Sequence, residues 1–125
     1  MNPFLLVGLG GALGAMARYG VALALPAMPG GFPLATFLVN VFGSVAMGLL
    51  IGILAKFTPE HQNEIRLFLA VGLFGGFTTF SSFSLDVISL IQRGALFTAM
   101  AYVFGSVLLC LAGLWAGMTL VRVLA

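Results

Sequence analysis

Hydrophobic residues in this chain form long blocks that do not alternate steadily with polar ones. Residues 19–55, 67–85 and 94–121 contain no Asp, Glu, Lys or Arg. About 20 apolar residues are enough for a helix to cross the hydrocarbon core of a bilayer. The pattern therefore predicts an all-α membrane protein with four transmembrane helices in a single domain, residues 1–125. The predicted helices cover about residues 4–25, 34–55, 59–92 and 95–124.

The polar segment at residues 56–66 separates the second and third predicted helices. It holds half of the formal charges of the chain and its only histidine. Thr58, Pro59 and Glu60 have the pattern of a helix start: a hydroxyl cap, a proline in the first turn and an acid near the positive end of the helix dipole. We therefore predict Thr58 as the N-cap of the third helix.

The third predicted helix contains a local pattern that favours a break near its middle. Gly75 and Gly76 are followed by Phe77, Thr78 and Thr79, so two flexible residues precede two β-branched ones. Irregular backbone at membrane depth is tolerated only where it is buried in protein or lines a cavity. The predicted break therefore indicates a functional site.

Composition excludes a soluble domain. Only 6% of the residues are charged and 62% are apolar, whereas soluble domains carry about 25% charged residues. A chain of 125 residues is also too short to bury so many apolar side chains in one core. The basic residues are scattered, so nucleic acid is not an expected partner. Neither a metal-binding cluster nor a catalytic set emerges, and we predict that the protein is not an enzyme.

The positions of the charges give little preference for one orientation in the membrane. With four spans, Lys56, Arg66 and Arg122 lie on one side. Arg93 lies on the other, together with Arg18 if that side chain reaches the interface. Such a weak bias is a poor positive-inside signal. The chain could insert both ways, and two opposed copies could pair about a two-fold axis in the membrane plane.

Two polar residues within the predicted spans are candidates for contact with an ion. Arg18 is either an arginine that extends to the interface or a cation that attracts anions to a vestibule. Asn40 carries an NH₂ group that offers two donors to an anion, and an interhelical hydrogen bond is an equally good explanation for it.

Residues 72–84 are the densest polar and aromatic stretch of the chain. Phe80 and Phe83 share a helix face, and the positive edges of their rings could attract an anion without a full charge. Ordinary packing explains most aromatic pairs at this spacing. The case for a site comes from the hydroxyl groups beside them, on Thr79, Ser81, Ser82 and Ser84.

The fourth predicted helix carries a thin polar track. Tyr102 and Ser106 are one turn apart, and Cys110 continues the same side as a small residue without a disulfide partner. Asp86 is the only acid after the polar segment, and we expect it near the membrane surface.

Donors outnumber acids in the predicted spans, which favours a pathway for a small anion. A small proton-linked exporter of dual topology is the alternative. That class needs a carboxylate in its first helix, and the first helix here has none.

Three motifs in order resemble those of the Fluc family of fluoride channels, also called CrcB proteins. They are GGALGAMARY at residues 10–19, TFLVN with Gly43 at 36–43, and GLFGGFTTFSSFS at 72–84. The resemblance covers nearly the whole chain. It implies a dual-topology, antiparallel homodimer in the cell inner membrane, with two narrow pores that pass fluoride passively out of the cell.

The resemblance also implies roles for individual residues. Phe80 and Phe83 match the pore phenylalanines, Asn40 the pore asparagine and Arg18 the vestibule arginine. Tyr102 and Ser106 match polar positions along the fourth helix. Thr79, Ser81 and Ser84 are predicted for the ion pathway from their hydroxyl groups beside the two phenylalanines. A structural Na⁺ at the dimer centre is implied as well, held by the backbone carbonyls of Gly75 and Thr78.

Overall fold

A computed structural model describes residues 1–125, and all of its regular structure is helical. In chain order the elements are α1 (Pro3–Ala24), α2 (Leu34–Phe57), α3 (Gln62–Ile65), a π-helical segment (Arg66–Phe74), α4 (Gly75–Phe77), α5 (Phe80–Gln92) and α6 (Leu96–Leu124). α3, the π-helical segment, α4 and α5 together form the third span. The four spans contain 22, 24, 31 and 29 residues, and each is long and apolar enough to cross a membrane.

The ends of α1 follow directly from local sequence. The Asn2 side chain accepts a hydrogen bond from the Phe4 N–H at 2.8 Å, and Pro3 occupies the first helical position. α1 ends shortly before Pro26, because proline cannot continue a helix and disfavours helical backbone in the residue before it. Gly30 then turns the chain with a φ of 74°, a left-handed conformation that glycine adopts without strain.

The predicted role of Thr58 is wrong. Thr58 closes α2: its backbone is left-handed, with a φ of 38°, and its N–H donates to the Leu54 carbonyl at 3.1 Å. Pro59 accounts for this, since it keeps the preceding residue out of the right-handed helical region. The third span starts later, at Gln62, whose N–H donates to the Pro59 carbonyl.

Glycines let α1 lie directly against the first half of the third span. A Cβ added to Gly10 would overlap the Phe68 carbonyl oxygen, and one added to Gly76 would lie 2.5 Å from the Gly11 carbonyl oxygen. Gly72 is similarly close to α1. The small-residue spacing in these two helices therefore marks a real backbone contact, as expected for membrane helices.

α2 and α6 form a second close pair. A Cβ on Gly48 would overlap the Leu114 carbonyl oxygen, and one on Gly117 would lie 2.7 Å from the Val45 carbonyl oxygen. α5 joins this pair through a cluster of buried side chains on α5 and α6, which comprises Phe83, Leu90, Ala99 and Tyr102.

The third span is broken, as predicted. Gly75 and Gly76 themselves are helical, and the chain departs from the helix at Thr78 and Thr79. Thr78 has a φ of −78° and a ψ of 158°, and Thr79 has a φ of −152° and a ψ of 123°. Extended conformations suit β-branched threonines. The break thus separates the half that packs on α1 from the half that packs on α6.

Most large apolar side chains face outward. Only 17 of the 125 residues are buried, a fraction that would leave a protein of this composition insoluble in water. Outward-facing Leu, Phe and Met residues are what lipid tails solvate, so the surface agrees with a multi-pass membrane protein.

Candidate functional site

The break in the third span is held in place by a side chain from α2. Asn40 makes a reciprocal pair of hydrogen bonds with the Thr79 backbone: its Nδ2 donates to the Thr79 carbonyl at 3.0 Å, and its Oδ1 accepts from the Thr79 N–H at 2.8 Å. Thr79 also starts α5 as its N-cap, where its Oγ1 accepts from the Ser82 N–H at 3.1 Å. The backbone N–H and carbonyl of Thr79 therefore have protein partners at membrane depth.

A cavity of about 360 Å³ opens beside the break. Residues of α2, the break, α5 and α6 line it: Asn40, Ser44, Thr78, Thr79, Phe80, Phe83, Ser106, Val107, Cys110 and Leu111. No acidic or basic side chain lines the cavity, so its polar groups are all neutral. The N-terminus of α5 adds partial positive charge, because the Phe80 and Ser81 N–H groups have no acceptor within the helix.

Asn40 fits both of the explanations that its sequence position allowed. One N–H of the amide makes the interhelical bond to the Thr79 carbonyl. The other has no acceptor in the chain, and Asn40 lines the cavity. Asn40 thus offers one donor to a bound anion instead of two. Ser44, one helical turn further along α2, lines the same cavity. Sequence reasoning missed Ser44, although its spacing from Asn40 could have indicated it.

The two phenylalanines contact each other but differ in exposure. Their ring centroids are 5.5 Å apart with an interplanar angle of 47°. Phe83 is 8% exposed and packs against Tyr102 at 5.0 Å, whereas Phe80 is 77% exposed. Phe83 therefore serves packing as well as lining the cavity, while the Phe80 ring is held by little else in this chain.

The polar track on α6 divides into two parts. The Ser106 hydroxyl is buried in the cavity lining and has no hydrogen-bond partner. The Tyr102 hydroxyl donates to the Asp86 carboxylate at 2.9 Å. A buried hydroxyl without a partner costs about 1–3 kcal/mol, so a ligand that hydrogen-bonds to Ser106 would remove this cost. The Tyr102–Asp86 bond joins α6 to α5.

The remaining hydroxyls differ in availability. Ser84 donates to the Phe80 carbonyl at 2.9 Å within α5, and it does not line the cavity. Ser81 is exposed and its Oγ lies 3.3 Å from the Thr79 Oγ1. Of the hydroxyl residues predicted for the pathway, the structure brings only Thr79 and Ser106 to the cavity wall.

A family model for CrcB-like proteins, described as camphor resistance (CrcB), matches residues 5–118 of the chain. The chain belongs to the CrcB family. Similar proteins named fluoride-specific ion channel FluC occur in Paracoccus denitrificans, 50% identical over 121 residues, and in Rhodospirillum centenum, 51% identical over 123 residues. The alignments cover 97% and 98% of this chain and 95% and 97% of the relatives. The resemblance of the three motifs is thereby confirmed along nearly the full length.

Arg18 lies at the break of this CrcB protein, outside the cavity. Its Nε donates to the Gly76 carbonyl at 3.2 Å. Gly76 is in the last turn of α4, where free carbonyls carry partial negative charge that a cation offsets. The terminal nitrogens of the guanidinium have no partner in the chain and keep their donors.

The Gly75 and Thr78 backbone carbonyls at the break have no donor in the chain. In an unbroken helix the Gly75 carbonyl would accept from the Thr79 N–H, but that group donates to Asn40. The Thr78 carbonyl would accept from the Ser82 N–H, which donates to Thr79 Oγ1 instead. Two unpaired neutral oxygens near the middle of a span suit a hard monovalent cation, so the residues fit the predicted sodium site.

Proposed function

We propose that this protein is a fluoride-selective channel that passes the ion passively out of the cell. The cavity at the break is the observation that carries the proposal, because it joins unsatisfied neutral donors to aromatic ring edges at membrane depth. The names of the relatives, fluoride-specific ion channels at about 50% identity over nearly the full chain, support the same ion.

The chemistry of the cavity favours a small anion over a cation. Asn40 has one free amide N–H, the Ser106 hydroxyl has no partner, and the N-terminus of α5 contributes partial positive charge. Phe80 and Phe83 can turn positive ring edges toward the ion. These groups replace part of a hydration shell without a full charge that would hold the ion in place.

The cavity also argues against the proton-linked exporter. Proton coupling needs a group that titrates within the pathway, and the cavity lining has no Asp, Glu, His or Lys. The nearest acid, Asp86, is occupied by the Tyr102 hydroxyl. We therefore favour passive conduction, and membership of a family of channels gives no support to an enzymatic activity.

Efflux from liposomes tests the function. Vesicles loaded with potassium fluoride or potassium chloride, and reconstituted with the purified protein, receive valinomycin to allow counter-charge movement. We expect rapid fluoride release and no chloride release above the protein-free rate. Equal release of both ions, or fluoride release that needs an imposed proton gradient, would contradict the proposal.

The substitution Phe80→Ile tests whether fluoride passes through the cavity. Phe80 is largely exposed, so replacing its ring with an aliphatic side chain removes little packing. We expect fluoride efflux to fall at least tenfold while the thermal melting curve stays close to that of the parent protein. Exposed Phe97, at the start of α6 and away from the cavity, provides the matched control as Phe97→Ile.

We further propose that two copies pair in antiparallel orientation in the cell inner membrane. Support comes from the break: Gly75 is exposed near mid-span and its carbonyl is unpaired, which lipid tails do not tolerate. The Ser81 hydroxyl is exposed beside the cavity, where a second protein surface would shield it from lipid tails. A second copy is the available surface, and the weak charge bias allows both orientations.

Protease access to a C-terminal tag tests the dual orientation. In sealed inverted and right-side-out vesicles from the same cells, we expect about half of the tags to be cleaved in each preparation. Uniform cleavage from one side would contradict the antiparallel pair. Gel filtration does not test orientation, because a parallel dimer would also elute at the dimer size.

We also propose a structural Na⁺ at the break. The Gly75 and Thr78 carbonyls would hold it, and its charge would compensate partial negative charge that the bilayer cannot solvate. We expect exchange of sodium for N-methylglucamine to lower the melting temperature of the purified protein, and sodium to restore it. An unchanged melting temperature after complete exchange would contradict this site.

A further inference from the structure

A second cavity lies at one end of the protein, between the C-terminal ends of α2 and α6. It measures about 290 Å³ and shares no residue with the cavity at the break. Gly52, Ala55 and Lys56 line it from α2, and Met118 and Arg122 line it from α6. Since α2 and α6 run in the same direction, both of their C-terminal ends lie at one membrane surface.

The two cations of this cavity are not neutralised within the chain. Lys56 Nζ donates to the Arg122 carbonyl oxygen at 3.5 Å, which holds the two residues together. Neither forms an ion pair; the one ion pair of the structure joins His61 and Glu64. Each helix C-terminus contributes only about half a negative charge, so the helix dipoles alone do not offset the two full positive charges.

The interior of the cavity is small and apolar. A Cβ on Gly52 would lie 3.0 Å from the Val121 Cβ, so α6 itself forms the floor there. Ala55 and Met118 provide the walls. Charged groups thus lie at the outer end of the cavity and apolar groups lie further into the membrane.

Trp115 lies on α6 further toward the membrane interior than the cavity wall. It is 69% exposed and lies three residues before Met118 and seven before Arg122, so the three share a face of α6. The sequence of cations, apolar wall and indole matches the phosphate, backbone and acyl chain of a phospholipid.

We propose that this cavity binds the phosphate group of an anionic phospholipid. Lys56 and Arg122 contact the phosphate, and the acyl chain descends past Met118 toward Trp115. Basic pockets between transmembrane helices at the membrane surface have this specificity. A free phosphate ion would leave the apolar wall exposed to lipid tails, so the lipid-borne group is the better occupant.

Quenching of tryptophan fluorescence tests the site, because Trp115 is the only tryptophan in the chain. The protein is reconstituted in phosphatidylcholine vesicles that contain a small equal fraction of brominated phosphatidylglycerol or brominated phosphatidylcholine. We expect the anionic lipid to quench more strongly. Lys56→Gln and Arg122→Gln should each lower its relative association constant about fivefold, the usual effect of one basic residue at this depth.

Arg66→Gln is the matched control, since Arg66 is exposed near the same surface but does not line the cavity. We expect it to change the association constant less than twofold. Equal quenching by the two lipids in the parent protein, or an equal loss in Arg66→Gln, would overturn the proposal. Removal of the excess quenching by inorganic phosphate on both sides of the membrane would assign the cavity to a soluble anion, and the lipid would be the wrong occupant.

Discussion

Asn40→Asp is expected to lower fluoride efflux about a hundredfold. A carboxylate has no N–H, so the Thr79 carbonyl would lose its donor and face a negative oxygen, while the free donor in the cavity would disappear. A buried group left unsatisfied costs up to about 3 kcal/mol. A barrier to ion passage that is higher by this amount lowers the rate about a hundredfold. The initial rate of fluoride release from liposomes measures the effect.

The control for this substitution is Asn63→Asp. It introduces the same charge at an exposed position of α3, away from the cavity. We expect parental efflux from Asn63→Asp. Gel filtration and a melting curve of both variants show whether each remains folded. Near-parental efflux from folded Asn40→Asp would remove Asn40 from the ion pathway.

Gly14→Val is expected to prevent folding. A Cβ on Gly14 would overlap the Leu73 carbonyl oxygen and lie 2.7 Å from the Phe77 N. Both contacts are with backbone, which cannot rotate away as a side chain can. Overpacking commonly costs about 1–3 kcal/mol, and we expect a value at or above the upper end of that range. Yield of monodisperse protein and the melting temperature measure the loss.

Gly8→Val provides the comparison within α1. Nothing lies within 4 Å of a Cβ at Gly8, and the residue is exposed. The two substitutions share residue type, helix and change in hydrophobicity, so only the contact with the third span differs. A folded, monodisperse Gly14→Val variant would show that α1 can move away from Leu73.

Sequence patterns predicted the helices well because hydrocarbon imposes a simple requirement on each span. Blocks without charges predicted the four spans, and Pro26 marked the end of the first one. The N-cap at Thr58 failed because two local rules competed there. The cap pattern favours Thr58 as a start, but the restriction that Pro59 places on the preceding residue has the larger effect.

The break was predicted from the right segment, although its cause was different. Gly75 and Gly76 were expected to provide the flexibility, yet both are helical, and a Cβ on Gly76 would collide with α1. Close approach of two helices and backbone freedom both call for glycine, and sequence alone does not separate them. Thr78 and Thr79 leave the helix because side-chain and long-range partners replace its hydrogen bonds.

Contacts between spans were beyond the reach of spacing rules. Spacing placed Tyr102 and Ser106 on one face of α6, but it gave no sign that Tyr102 would donate to Asp86 on another helix. Nor did it show that the Asn40 amide would donate a hydrogen bond to the carbonyl of Thr79, 39 residues away in the chain. Such pairs depend on how helices pack, which a periodicity within one helix does not encode.

The bond between Asn40 and Thr79 has a mechanical consequence. The first half of the third span is fixed to α1 by backbone contact, and α5 is fixed to α6 by buried rings. Two helical segments with separate contacts therefore meet at Thr78 and Thr79. The Asn40 side-chain amide, from α2, fixes the backbone at this break by two hydrogen bonds. If either helical segment tilts, the backbone at the break must move with it. The width of the cavity beside the break therefore depends on the Asn40 amide.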